Sequence, residues 1–455
     1  MAINNKIRLN FVAFFITIMI TALNAADLKD VQKRINQSLR HDILETWYPL
    51  CVDTKEGGFL SSFSSDWQPE NSQDKFLVNQ TRHIWTLSAA AFFYKDTIYR
   101  NMADQGFQFL KNCMRDSVYG GFYMLRSRSG EPVNYAYRDE KRAYGLAFAI
   151  YALSAYYQIS KENEALKLAV ETFQWLEKHS YDTDFGGYME HLTRTGDWLE
   201  PSVTNSTAWD CRSSGWKDQN SSIHLLEAFT ALYKIWPDSL LRQRLTEMFV
   251  LIRDKITNHQ GSLILFFQRN WEPVSYQDST ETIRSANYFY DHISFGHNLE
   301  TAYLLIEAMH VLNHPTREKT MNIAKKMVDH ALTYGWDQTY GGFYDAGYAL
   351  KNFDTVTIIN KEKTWWVQAE GLNALLLMHK LFPGQSVYLQ TFLNQWQYID
   401  QYLIDHKYGG WYWAGLDRSP EQIEAPKAVQ WKINYHNTRA MINCLHMLKD
   451  ISFSE

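Results

Sequence analysis

Three histidines, His224, His297 and His436, stand where a chain of this pattern could bring titratable groups together. An imidazole titrates near neutral pH, so it can take a proton from carbon or return one without a metal. Each has a possible charged partner three residues on, which is one helical turn: Glu227 after His224, Glu300 after His297 and Arg439 after His436. A carboxylate in that place would fix the tautomer and raise the imidazole pKa, whereas Arg439 would lower it. A single histidine near a helix start is ordinarily a cap or a satisfied core residue. Three at equivalent positions of a repeat carry more weight.

The repeat is marked by a Gly-Gly-aromatic motif. Copies stand at Gly57-Gly58-Phe59, Gly120-Gly121-Phe122, Gly186-Gly187-Tyr188, Gly341-Gly342-Phe343 and Gly409-Gly410-Trp411, with a degenerate Gln260-Gly261-Ser262 in the remaining gap. Six units of about seventy residues follow. Each reads as an amphipathic helix, a Gly-Gly turn, a short aromatic stretch and a second, more apolar helix. The second helices start near Asn79, Arg142, Gln219, Gly296, Thr364 and Tyr435; Glu162–His179 and Pro315–Leu332 are typical first helices. Six buried and six half-exposed helices predict an all-α fold, an (α/α)6 barrel of two concentric rings with no internal boundary over 26–455.

Inner helices of such a ring run parallel, so their first turns meet at one end. Those turns carry Arg82, Tyr144, Asn220 with His224, His297 with Glu300, Trp366 with Glu370, and His436 with Arg439. Six distant segments thus aim polar groups at one cavity, whose mouth is expected to be capped by Tyr181–Gln219 and Arg269–Ser294.

Composition narrows the alternatives. The chain has 455 residues, 45% hydrophobic and 21% charged, with a net charge of −5. That is ordinary globular material, and the absence of a basic run gives nucleic-acid binding no support. The 16 tryptophans offer flat faces suited to sugar rings as well as to cores. The cysteines Cys51, Cys113, Cys211 and Cys444 lack metal-ligand spacing, none of the three histidines belongs to a His-x3-His pair, no phosphate loop is present, and no cofactor or metal is implied. Lys6 and Arg8, the apolar run Phe11–Ile20 and the small residues before Ala26 have the layout of a signal peptide over 1–25, predicting a periplasmic or secreted protein without stable membrane insertion. Glycoside hydrolysis needs two opposed carboxylates, and Glu300 with Glu370 are the candidates.

The residues also carry a family likeness. Thr81-Arg82-His83-Ile84-Trp85, Ala143-Tyr144-Gly145, Asn220 to Ala228, Phe295-Gly296-His297-Asn298-Leu299-Glu300, Trp365-Trp366-Val367-Gln368-Ala369-Glu370 and Trp431 to Asn437 resemble the N-acylglucosamine 2-epimerase superfamily, and within it the cellobiose 2-epimerase group. The resemblance covers the chain after its first segment. It implies cofactor-independent epimerisation at C2 of a reducing-end sugar, interconverting cellobiose-type β-1,4-linked disaccharides with their C2 epimers by ring opening and a cis-enediolate. By that resemblance His297 and His436 are the acid/base pair, His224 assists ring opening or the proton shuttle, and Arg82 steadies the oxyanion. Trp366 and Trp431 stack on sugar rings, and Tyr144, Asn220, Glu300 and Glu370 orient hydroxyls and imidazoles. The chain departs from the group at Ser222, Asn298 and Val367, where His, Asp and Pro are usual. An aldose–ketose isomerase acting on a monosaccharide such as mannose shares the enediolate and is the near alternative.

Overall fold

The apolar periodicity resolves into thirteen helices in a computed structural model that describes residues 25–133, 140–199, 215–350 and 355–452. In chain order they are α1 (Ala25–Ser38), α2 (Leu77–Tyr94), α3 (Thr97–Phe109), α4 (Ala143–Ser160), α5 (Asn163–His179), α6 (Gln219–Ile235), α7 (Ser239–Leu251), α8 (Glu281–Asp291), α9 (Phe295–Leu312), α10 (Arg317–His330), α11 (Trp365–Leu381), α12 (Ser386–Tyr402) and α13 (Tyr435–Ser452). Helices α2, α4, α6, α9, α11 and α13 each touch the next, and α13 closes on α2. This is the inner ring. Its members are buried on nearly every side, as in α4, where the run Ala143–Leu153 is buried throughout. Helices α3, α5, α7, α10 and α12 each lie against the inner helix before them, and the first helix α1 covers the last, α13. The chain's two ends therefore complete one outer position. The (α/α)6 barrel expected from the sequence is the observed fold, with α8 as an addition inside the long fourth unit.

Short strands, absent from the helical pattern, link consecutive units. They are β1 (Lys75–Phe76), β2 (Leu125–Arg126), β3 (Lys141–Arg142), β4 (His191–Leu192), β5 (Lys217–Asp218), β6 (Phe266–Phe267), β7 (Ile293–Ser294), β8 (Ala346–Ala349) and β9 (Val356–Asn360). β1 pairs with β2, β3 with β4 and β5 with β6, all antiparallel, and β7, β8 and β9 form one sheet. Each pair ties the start of an inner helix to the hairpin after the next Gly-Gly turn, which fixes the angle at which that helix presents its first turn. The turns need glycine for two reasons. Gly57 and Gly58 sit at φ 79° and 66°, and a Cβ on Gly58 would come within 2.7 Å of Gln80 Oε1.

A feature unread in the sequence closes the turns. Asp53, Asp116, Asp182 and Asp337 each stand four residues before a Gly-Gly pair and each meets a fully buried lysine from the start of an inner helix, Lys75, Lys141, Lys217 and Lys363, at 2.9–3.1 Å. Arg128, Arg194, Arg269 and Arg418 from the following unit complete the clusters. A buried lysine needs such partners to remain charged. In the sixth unit Asp405 keeps Lys427.

The proposed signal segment lies outside the described residues up to position 24, as do Cys211 and positions 200–214 of the expected capping loop. Among the described residues no helix is long and apolar enough to cross a membrane, and Cys51, Cys113 and Cys444 are unpaired.

Candidate active site

A cavity of about 470 Å³ opens where the first turns of the inner helices converge. Arg82 (α2), Tyr144 (α4), Asn220 and His224 (α6), His297 and Glu300 (α9), Trp366 (α11) and His436 (α13) line it, with Trp431 just ahead of α13. Of the ten residues singled out from the sequence only Glu370 is absent from the wall.

Each imidazole is tethered through Nδ1, which turns Nε2 away from its tether. His436 Nδ1 lies 2.7 Å from Glu370 Oε1 and donates to it, and His224 Nδ1 is 3.0 Å from Glu227 Oε2. His297 Nδ1 shares a hydrogen bond of 2.8 Å with the Ser294 hydroxyl. The Trp366 ring packs against both His297 and His436, centred 4.8 Å from the first and 5.7 Å from the second. Tyr144 stands edge-on to His224 at 5.1 Å and accepts a hydrogen bond from Arg82 Nη2 at 2.8 Å. The Arg82 guanidinium lies 4.3 Å over the Phe148 ring, and its Nε is buried without a partner. A cation held over aromatic rings with an unused donor suits an oxyanion at the same end of the cavity.

Beneath the wall lies one ionic network. Arg439, 2% exposed, donates to Glu300 Oε1 at 2.5 Å and Glu370 Oε1 at 2.7 Å, and bonds Glu227 Oε1 and the Tyr435 hydroxyl; Tyr435 also donates to Glu227 at 2.6 Å. One pairing expected from helical spacing and one expected substrate contact are therefore corrected. Glu300 does not hold His297, because Arg439 draws its carboxylate inward and Ser294, at the end of β7, is nearer the ring. Glu370 does not face substrate; it stands fully buried behind His436 and orients that ring.

Charge follows from these contacts. Burial pushes His297 down to about 4, only partly offset by Glu300, and places His436 well below its usual range. The rise expected from neighbouring carboxylates is outweighed by desolvation, so both rings are neutral bases at neutral pH in the empty cavity. Burial raises Glu370 against the pull of Arg439. Burial also acts upward on Glu227, but Arg439 and the hydrogen bonds of His224 and Tyr435 prevail and hold it at about 2. Three carboxylates share one guanidinium, which leaves surplus negative charge to stabilise an imidazolium formed on His436.

Glu300, Glu370 and His436 offer ligand atoms within 4.8 Å of one another, a set that could hold a divalent cation. The Arg439 guanidinium already sits on both carboxylates there. An ion would have to displace a buried arginine. The same geometry removes the two opposed carboxylates that hydrolysis requires, since one nitrogen of Arg439 binds both glutamates from the same side.

The sequence reading missed several wall residues. Arg142 and Asp218 occupy the position immediately before an inner helix, and reading the repeat one residue earlier would have found them. Asp218 also caps α6, accepting from Ser221 N at 2.7 Å. Glu190 and His191, from the hairpin after a Gly-Gly turn, complete that side; Glu190 accepts the Tyr144 N–H at 2.8 Å, and His191 lies 2.8 Å from Glu140. Trp365 and Trp413, whose rings are 4.6 Å apart, widen the aromatic side. The described ends of the two expected capping segments reach the wall through Gln219, Phe289 and His292. Ser222, at a position where the group usually has His, donates to the Asp218 carbonyl at 2.7 Å instead of facing the cavity, and Asn298 accepts the Leu263 N–H at 3.1 Å.

Comparisons with known proteins agree with this architecture. The family described as N-acylglucosamine 2-epimerase (GlcNAc 2-epimerase) matches residues 57–440. The chain is 30% identical to cellobiose 2-epimerase of Bacteroides fragilis over 416 residues, covering 91% of this chain and 98% of that protein. It is 26% identical to D-mannose isomerase of Marinomonas mediterranea, covering 89% and 94%. The solved structure of cellobiose 2-epimerase from Spirochaeta thermophila superposes with a TM-score of 0.79 at 28% identity, covering 95% of this chain and 99% of that one.

Proposed function

The chain belongs to the N-acylglucosamine 2-epimerase family, and from that premise we propose that it is a 2-epimerase of reducing-end sugars acting on β-1,4-linked disaccharides of the cellobiose type. One observation carries the reading: His297 and His436 face one cavity, both in ring contact with Trp366 and each tethered at Nδ1.

The steps use this chain's own side chains. His224, steadied by Glu227, assists transfer of the anomeric hydroxyl proton to the ring oxygen, which opens the ring to the aldehyde. One of His297 and His436 then takes the C2 proton through Nε2; the C–H electron pair becomes the C1–C2 double bond and the aldehyde oxygen becomes an oxyanion beside Arg82. The other histidine, which takes a proton from solvent as the enediolate charge grows, delivers it to C2 from the opposite face; the C1–C2 π pair forms the new C–H bond and the oxyanion's electrons restore the carbonyl. The first histidine then releases its proton to solvent, so both are neutral again, and the two roles exchange in the reverse direction. No cofactor takes part. A neutral base is what burial gives in the empty cavity, and the growing enediolate charge favours the imidazolium form of its partner. Trp366 and Trp431 are the proposed stacking faces, Tyr144, Asn220 and Glu300 the hydroxyl contacts. The cavity volume falls within the range of about 300–1,000 Å³ typical of small-molecule sites.

Aldose–ketose isomerisation differs only in returning the proton to C1, and the match to a D-mannose isomerase keeps it as the second reading. Incubation with cellobiose and separately with mannose, with products resolved by chromatography, separates the two. The proposal expects the C2 epimer of cellobiose; fructose from mannose with cellobiose untouched would reverse the order. Export to the periplasm or medium is a further proposal resting on Lys6, Arg8 and the apolar run after them, tested by the intact mass of the mature protein.

A further inference from the structure

The fourth unit departs from the others at three equivalent positions. Where four units place Asp, Lys and Arg around the Gly-Gly turn, this one has Asn258, Ile293 and, two residues past the strand partner of Ile293, Ala349. All three line a separate cavity of about 340 Å³. Leu265 and His292 line both this chamber and the reaction cavity, so the two lie side by side.

The chamber's polar groups indicate what it suits. Ser262 is 2% exposed and its hydroxyl has no hydrogen-bond partner. Asp291 Oδ2 accepts from Tyr276 N at 2.5 Å and the Tyr348 hydroxyl at 3.1 Å, while its Oδ1 is buried with no partner. Asn258 and Gln277 add amide groups, and Pro273, Val274 and Leu350 add apolar surface. Among the described residues no lysine or arginine lines the chamber, whose basic groups are the imidazoles of His259 and His292. A purely apolar ligand would leave Ser262 and Asp291 unsatisfied, at the cost of buried polar groups. A neutral polyhydroxyl ring offers hydroxyl donors to Asp291 Oδ1, both donor and acceptor to Ser262, and C–H faces to the apolar side.

We propose that this chamber is a second saccharide-binding site, holding a neutral sugar unit beside the ring that reacts. The sugar has two possible sources. It is the distal unit of a longer chain running past His292, a version that rests on the reducing-end reading above, or it is a free monosaccharide.

Calorimetric titration of the full chain with methyl β-glucoside, cellobiitol and cellotriitol, none of which can open and epimerise, distinguishes them. Two variants alter the chamber alone: Asn258→Asp/Ala349→Arg rebuilds the ion pair found at Asp182 and Arg269, and Ser262→Val removes the orphan hydroxyl with little change of shape. If the distal unit is the source, cellotriitol binds about tenfold tighter than cellobiitol, the effect of one or two net hydrogen bonds. Both variants then lower it to the cellobiitol affinity, which itself does not change. If a free monosaccharide is the source, methyl β-glucoside binds protein already saturated with cellobiitol, and both variants abolish that binding. Should the double variant show no cooperative melt, Ser262→Val decides alone. The proposal is overturned if the two alditols bind equally and methyl β-glucoside does not bind beside cellobiitol, or if the extra affinity survives the folded variants. Failure of the reducing-end reading looks different: cellobiitol does not bind, while methyl β-glucoside still binds and is lost in the variants.

Discussion

Two kinds of buried charge network sit at the same end of this barrel, and they are built to different rules. The clusters of Asp53 with Lys75 and Arg128, of Asp116 with Lys141 and Arg194, and of their counterparts recur at the repeat period, and each lysine also donates to the carbonyl of the first glycine of its turn. Arg439 with Glu227, Glu300 and Glu370 occurs once, draws on four different inner helices, and bears the tethers of two imidazoles. The repeated network gives each aspartate a lysine and an arginine, leaves no carboxylate charge over, and closes turns. The single one leaves carboxylate charge in excess beneath a cavity. Charge at a repeat-invariant position serves the fold, and charge that breaks the repeat serves the chemistry.

Substitutions in each network sharpen this contrast. The largest effect is expected for His297→Asn and His436→Asn: removal of a positioned acid or base lowers kcat by roughly 10³–10⁴-fold, with the denaturant midpoint nearly unchanged. Activity within tenfold of the parent in either variant breaks the contrast. Lys75→Met should do the reverse, leaving Asp53 without its one fully buried cation, costing about 3 kcal/mol of stability in denaturant unfolding while kcat per folded molecule stays the same. Glu370→Gln keeps the shape behind His436 but removes the charge that stabilises its imidazolium, so kcat should fall on the order of 10–100-fold with KM little altered; a pure KM effect would assign Glu370 to substrate contact. The smallest effect concerns pH. His297 is held at about 4 when folded and lies near 6.5 when unfolded, so below pH 6.5 the unfolded chain binds the proton and the folded chain does not. Stability is therefore lost as pH falls from 6.5 toward 4, by at most about 1.4 kcal/mol per pH unit from this group. Thermal melts of His297→Gln should show a shallower acid slope than the parent.

Much of this was legible in one sequence because period carries information that single residues do not. The Gly-Gly copies gave six units, and the first-turn residues Arg82, Tyr144, Asn220, His224, His297 and His436 all reached the cavity. What spacing could not supply was competition between partners. Glu300 stands one turn from His297, yet Arg439, from a helix more than a hundred residues later, holds it. His83, beside Arg82 in the same first turn, shows the limit from the other side: it faces away from the cavity wall residues, bonds Tyr48 at 2.8 Å and stacks on Phe59 at 4.7 Å as part of the core. The Asp-x3-Gly-Gly pattern was present in the sequence at fixed spacing, but its lysines follow at a different distance in each unit, and only their burial reveals them as one device. Arg142 and Asp218 escaped because they precede the helices whose first turns were examined.

The central claim, that His297 and His436 pass the C2 proton across an enediolate, is tested most directly by proton NMR of the reaction in D2O. With cellobiose as substrate, the parent enzyme should yield epimer carrying deuterium at C2. His297→Ala and His436→Ala should not epimerise, and the one retaining the histidine on the substrate's C2–H face should exchange that hydrogen with solvent while preserving configuration. Epimer that keeps its original C2 hydrogen, or full epimerisation by either variant, would contradict the account.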